Sequence, residues 1–133
     1  MSSTVAKRLR SLSDPGRLRV LGLISASGEL CVCEIEKIVG LTVSTASRNL
    51  RDLEDAGWLA SRRDGRWIYY RLAEMDGDWE DVRREVLEVF ARTAQAQQDL
   101  NRRDELLPKD RLAMCREELS LENFYRQMDH DTK

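Results

Sequence analysis

Two thiols sit almost side by side in the run Glu29-Leu30-Cys31-Val32-Cys33-Glu34. Thiolate sulfur is soft, and without imidazoles nearby it favours thiophilic species over magnesium or calcium. The lone histidine, His130, lies far away, near the end of the sequence. A zinc site ordinarily recruits four Cys, His or carboxylate ligands. Trivalent arsenic or antimony is satisfied by two or three sulfurs and fits the pair better. Cys115 is the only other cysteine. Three cysteines placed this unevenly do not make a disulfide framework, so reduced thiols used for binding or redox sensing are expected.

The spacing of the pair has a mechanical consequence. Residues i and i+2 of a regular helix point about 200° apart, so Cys31 and Cys33 cannot grip one ion from an undistorted helical interior. Either the pair sits at a frayed helix start, or binding unwinds that turn. In both cases the ion is coupled to the geometry of the helix. A helix N-terminus would also lower the thiol pKa, with Glu34 acting slightly against it.

The surrounding elements must position these thiols. Val5, Leu9 and Leu12 follow a helical stripe. Asp14-Pro15 then supplies an N-cap and a first-turn proline for a second helix through Leu18, Leu21 and Ile24, broken at Ser25-Ala26-Ser27-Gly28. A third helix turns Val32, Ile35, Ile38 and Val39 inward and stops at Gly40. After the turn Leu41-Thr42, a fourth buries Val43, Ala46, Leu50 and Leu53 and ends at Ala56-Gly57. Its other face carries Ser44, Arg48 and Arg51, with Thr45 and Ser47 crowding the first turns. Short hydroxyls and arginine at a helix N-terminus suit entry into the DNA major groove.

A hairpin follows. Strands before and after Asp64-Gly65 place Arg63 opposite Arg66. Facing like charges are mildly destabilising, which makes sense for a basic tip that meets phosphate. Ile68, Tyr70 and Leu72 are expected on the packed face, with Trp67 and Tyr69 on the other. Gly77-Asp78 opens a long helix striped by Trp79, Val82, Val86, Val89 or Phe90, and Ala94. That stripe, with the first helix, is expected to meet its mate in a two-fold dimer, which also spaces two recognition helices. A last helix is expected from Pro108-Lys109-Asp110 through Leu112, Cys115, Leu119, Phe124 and Met128.

Helix, turn, helix and hairpin in this order predict a mainly α protein with a small β-hairpin wing, a winged helix-turn-helix. At 133 residues, 41% hydrophobic and 35% charged, one soluble domain is expected, with more apolar surface buried in a dimer. No apolar run approaches the roughly 18 residues of a membrane helix and no signal-peptide core follows the N-terminus, so a cytoplasmic protein without membrane partners is expected. The net charge of −2 conceals an asymmetry. Residues 1–72 carry 12 Lys+Arg against 8 Asp+Glu, giving +4, and residues 73–133 carry 10 against 16, giving −6. The basic half is the one expected to meet DNA.

Four segments carry a resemblance: Glu29 to Glu34, Ser44-Thr45-Ala46-Ser47-Arg48-Asn49-Leu50, Leu53-Glu54-Asp55-Ala56-Gly57-Trp58-Leu59, and Gly65-Arg66-Trp67-Ile68-Tyr69-Tyr70-Arg71-Leu72. Over roughly residues 5–98 the chain resembles the arsenical-repressor (ArsR/SmtB) family of winged-helix metalloregulators. The Leu-Cys-Val-Cys run is similar to that of the branch sensing arsenite or antimonite, or in related members cadmium and lead. The resemblance implies a homodimeric repressor that needs no cofactor to bind operator DNA and leaves it when metalloid binds. Sensors of that branch often carry a third cysteine one helical turn after the pair. Lys37 holds that position here, and Cys115 is the candidate third ligand, from the same or the other subunit, although its place between Leu112 and Leu119 favours a buried apolar role.

The expected division is therefore a DNA-binding and dimerisation domain over 1–98 and an acidic helical extension over 99–133. Cys31 and Cys33 are the expected metal ligands. Ser44, Thr45, Ser47, Arg48, Arg51, Arg63 and Arg66 are the expected DNA contacts. A redox-responsive repressor using the same thiols, or a cadmium or lead sensor, remains as the alternative. A dithiol enzyme is disfavoured, because the chain contains no Cys-x-x-Cys and no alternating strand–helix pattern.

Overall fold

Asp14 accepts from the Arg17 N–H at 2.9 Å, and Pro15 supplies the pre-set φ of the first helical position. The second helix thus starts where its cap and proline dictate. In the computed structural model, which describes residues 2–107, the elements run α1 (Ser2–Ser11), α2 (Pro15–Ser27), β1 (Glu29–Cys31), α3 (Val32–Val39), α4 (Val43–Asp55), β2 (Leu59–Asp64), β3 (Trp67–Leu72), α5 (Gly77–Ala91) and α6 (Ala94–Leu106). This is a mostly helical winged helix-turn-helix with a three-stranded antiparallel sheet of order β1-β3-β2. The compact unit Met1–Arg102 contains all the sites discussed below. Cys115, His130 and the helix expected from Pro108 lie outside the described residues.

The core follows the helical spacing. Val20, Leu21, Leu23, Ile24, Ile35, Ile38, Leu50 and Leu53 are essentially inaccessible, and α2, α3 and α4 pack on one another through them. Gly40 closes α3 in a left-handed conformation, φ +77°, its N–H returning to the Glu36 carbonyl at 2.9 Å. Thr42 then caps α4 by accepting from the Thr45 N–H at 3.2 Å. The two caps, two residues apart, make the turn of the helix-turn-helix.

Several expectations are corrected. Helix α2 runs through Ser27 and ends at Gly28, so Ser25-Ala26 does not break it. Residues Glu29–Cys31 are a strand, paired to β3. Val43 is exposed, and Asn49 takes a buried place on α4 instead. The hairpin turn is Gly65-Arg66, pairing Asp64 with Trp67 and Arg63 with Ile68. Arg63 therefore does not face Arg66. The cause is Gly65: at φ +62°, with no positive φ at Arg66, it fits the first central position of a type II′ turn and shifts the register by one residue. Tyr69 is also buried, alongside Tyr70, because β1 flanks β3 on its open side, while Ile68 is exposed.

The expected long helix is two. Thr93 accepts from the Ala96 N–H at 3.2 Å and starts α6 as an N-cap, so Ala94 does not continue the α5 stripe. Helix α6 then reaches back to α3. Asp99, buried, takes Arg19 Nε at 3.0 Å and Nη2 at 2.8 Å, and the same Nη2 donates to the Val39 carbonyl at 3.1 Å. Arg102 Nε donates to the Lys37 carbonyl at 3.1 Å. Two of the carbonyls at the end of α3, those of Lys37 and Val39, are thereby satisfied by arginines.

Candidate functional site

Cys31 closes β1 and serves as the N-cap of α3, with extended dihedrals (φ −88°, ψ 164°). Cys33 lies in the first helical turn, so the pair sits at a helix start rather than in a helical interior. Leaving the helix at Cys31 removes the 200° separation and brings Sγ to Sγ at 3.0 Å. Of the two arrangements open from spacing alone, the structure has the one that needs no unwinding to bring the sulfurs together.

Glu34 completes the cap. Its carboxylate accepts from the Cys31 N–H at 2.9 Å, while the Cys31 sulfur receives the Glu34 N–H. The two thiols are driven apart in acidity. Cys31, buried, is pushed well above the ordinary thiol value, first by donating its S–H to Cys33, then by desolvation and by the Glu34 charge. Cys33, half-buried, is lowered, chiefly because its thiolate accepts that hydrogen bond, with further help from the positive charge of Lys37. Lys37 thus stands one turn on as an electrostatic partner of the thiolate. Among the described residues no group of three or more His, Cys, Asp or Glu is placed to hold a metal ion. The pair alone offers two soft donors, one of them made more acidic by the other, which fits a thiophilic species completed by exogenous ligands or by a sulfur from elsewhere.

A second cluster occupies α4 and the wing. Ser44, Thr45, Arg48 and Arg51 are exposed on one side of α4, and Ser47 is half-buried at its edge. Arg63 and Arg66 are exposed at the hairpin tip; Arg63 Nε donates to the Gly65 carbonyl at 3.0 Å, and Arg66 lies 5.8 Å from the centroid of the Trp67 ring. The exposed Val43 adds an apolar group to the start of the helix, of the kind that packs on a thymine methyl. The two clusters share a scaffold, since α3 lies against both β1 and α4.

Residues 14–61 match the profile described as "Bacterial regulatory protein, arsR family". The chain is also similar to the solution structure of the homodimeric winged helix-turn-helix DNA-binding domain of a possible ArsR-family regulator from Mycobacterium bovis. That likeness has a TM-score of 0.56 and 36% identity and covers 67% of this chain and 77% of that one. The chain belongs to the ArsR family. Among curated relatives it is 43% identical over 73 residues to the arsenic resistance transcriptional regulator ArsR1 of Pseudomonas putida, covering 55% of this chain and 57% of that protein. It is 37% identical over 86 residues to the cadmium resistance regulatory protein CadC homolog of Staphylococcus aureus, covering 65% and 67%. The chain thus spans between about half and two thirds of the length of these relatives.

Within this ArsR-family fold, sequence reasoning missed Arg62. Its guanidinium meets the Glu29 carboxylate through Nε at 3.0 and 3.1 Å and Nη2 at 2.6 Å, and lies 4.4 Å above the Tyr69 ring. The opposite charges of Glu29 and Arg62 were visible, but only the strand β1 brings them together. Also exposed are Val5 and Leu9 on α1 and Val82 and Val89 on α5. Among the described residues, no helix is long and apolar enough to cross a membrane.

Proposed function

We propose that this ArsR-family protein is a transcriptional repressor that holds operator DNA as a homodimer and releases it when trivalent arsenic or antimony binds Cys31 and Cys33. The observation that carries the reading is the 3.0 Å approach of two thiols of opposed acidity at the N-terminus of α3. Likeness to regulators named for arsenic resistance supports the choice of ligand. Ser44, Thr45, Ser47, Arg48 and Arg51 face the major groove, and Arg63 and Arg66 grip the flanking backbone. Exposed Val5, Leu9, Val82 and Val89 supply the dimer contact. Such a repressor works in the cytoplasm and catalyses no reaction.

The thiols act in order. Cys33, as thiolate, displaces one hydroxide of arsenous acid, which leaves as water with a solvent proton. Cys31 displaces a second, which leaves as water with the Cys31 proton. Two sulfur bonds of roughly 2.3 Å, the length of a zinc–thiolate bond, would enclose an angle of only about 80° across the present 3.0 Å gap. Binding therefore spreads the sulfurs and withdraws Cys31 from its hydrogen bond to Cys33 and from the cap over Glu34. The far end of α3 is held by Arg19 and Arg102, so the disturbance concentrates in the first turn and along β1. Cys115 or an exogenous thiol is the proposed source of any third sulfur.

A DNA-release titration tests this. With a duplex selected by the protein from randomised DNA, arsenite or antimonite should abolish binding by wild type and leave Cys31→Ser and Cys33→Ser bound. Release of either variant at the wild-type concentration would refute the site. The same 3.0 Å gap favours a second reading, oxidation of the pair to a disulfide by peroxide; that reading predicts release without metalloid, reversed by reductant. Release by cadmium or lead at lower concentration than arsenite would instead make the protein a sensor of those ions.

A further inference from the structure

Cys31 and Arg62 occupy the same rung of the sheet. Cys31 pairs with Tyr69 from one side, and Arg62 pairs with Tyr69 from the other. Directly opposed residues of antiparallel strands project from the same face, so the sensor thiol, the Tyr69 ring and the wing guanidinium lie in one row. Glu29, two residues before Cys31, falls on that face as well, and its carboxylate spans the central strand to grip Arg62. The strand that carries the thiol is only three residues long, Glu29–Cys31. Any shift of Cys31 therefore disturbs one of only three pairings by which β1 holds β3.

We infer that Glu29, Tyr69 and Arg62 form the link through which the thiol pair sets the position of the wing, so that ligand binding acts on the hairpin through β1 as well as on α4 through α3. The inference rests on the reading above, with Glu29, Tyr69 and Arg62 as positioning residues. Arg62 is tied through its side chain to Glu29 on the strand of the sensor, and in β2 it directly precedes Arg63, whose Nε donates to the Gly65 carbonyl of the tip. When β1 moves, Glu29 carries Arg62 with it, and the tip arginines leave the geometry in which they meet phosphate. A surface ion pair of this kind contributes little to stability, yet a bidentate pair joining two strands can carry coupling between sites.

The test measures three quantities on the full chain with arsenite as the probe: arsenite binding by near-ultraviolet absorbance, affinity for the selected duplex without arsenite, and the ratio of DNA affinities without and with arsenite. Glu29→Gln should bind arsenite as wild type does and keep metalloid-free DNA affinity within about threefold, while the ratio falls by about fivefold or more. The double variant Glu29→Arg with Arg62→Glu re-forms the pair with reversed charge and should recover the ratio. An unchanged ratio in Glu29→Gln, or a double variant no better coupled than the single, overturns the link while leaving the sensor reading intact. If wild type binds arsenite without releasing DNA, both the sensor reading and the link fall.

Discussion

Arg8 Nε donates to the carbonyl of Ala56 at 3.0 Å, tying α1 to the C-cap of α4. The same guanidinium lies 4.8 Å from the Trp79 ring centroid of α5. Trp58, fully buried next to the end of α4, meets Trp79 edge to face at 5.8 Å and donates Nε1 to Ser11 Oγ at 2.8 Å. The helices that expose Val5, Leu9, Val82 and Val89 are therefore the ones that anchor the end of α4. A dimer built on those residues would fix the orientation of α4 from behind.

Arg8→Ala removes a hydrogen bond to a helix end and a cation–π contact. It should cost about 1–2 kcal/mol of stability, read from urea denaturation. An unchanged midpoint would show that the Ala56 carbonyl finds water at no cost.

Arg83 is buried and donates Nη1 to the carbonyls of Trp58 at 3.1 Å and Ala73 at 2.9 Å, joining α5 to both ends of the β2–β3 hairpin. Its pKa is lowered, mainly by desolvation. Arg83→Met keeps the apolar stem and leaves those carbonyls without their charged donor, which should cost about 2–3 kcal/mol. A loss below half a kcal/mol in calorimetry or urea titration would contradict that role.

The two thiols should alkylate in order. Cys33, lowered by the Cys31 hydrogen bond, should react with iodoacetamide at lower pH than an unperturbed thiol, and Cys31 last, as followed by peptide mapping. Replacing Cys31 with Ala removes the donor and should return the Cys33 profile towards the ordinary value. Because Cys33 is more acidic folded than unfolded, its thiolate adds stability above the unfolded value of roughly 8.5. That contribution is lost as the pH falls through the folded value. Faster labelling of Cys31 would reverse the assigned order of attack.

Wing and helix arginines should separate by salt. Arg63→Ala and Arg66→Ala should each lower the slope of log affinity against log salt by about one and weaken all duplexes alike. Arg48→Ala should cost about 1–3 kcal/mol and relax sequence preference. Equal effects of Arg48→Ala on selected and random duplexes would move that residue from base to backbone contact.

Much of the fold was legible because it is set locally. Asp14-Pro15, Gly40 and Thr42 mark helix boundaries through caps that need no distant partner, and the 4-3 spacing of Ala46, Leu50 and Leu53 is visible in any window of the chain. Strand β1 was not legible: three residues are too few to show alternation, and their partner β3 lies some forty positions on. Its absence from the sequence reading misplaced Tyr69, concealed the Glu29–Arg62 pair and left the thiol geometry open between a frayed start and an unwound turn. The hairpin register slipped because Asp64-Gly65 is itself a favoured turn dipeptide, and only the positive φ of Gly65 followed by the ordinary φ of Arg66 selects Gly65-Arg66. The break before α6 was carried by one residue, Thr93, whose capping hydroxyl was overlooked beside a continuing apolar stripe. Val43 fitted that kind of stripe too, but at the start of α4 it precedes the point where the helix meets the core.

X-ray absorption at the arsenic edge of the loaded protein tests most directly whether Cys31 and Cys33 are the chelating pair. The account predicts at least two sulfur neighbours in wild type, at least two retained in Cys115→Ser, and loss of one in Cys31→Ser and in Cys33→Ser. An unchanged sulfur shell in either of those last two variants would contradict it.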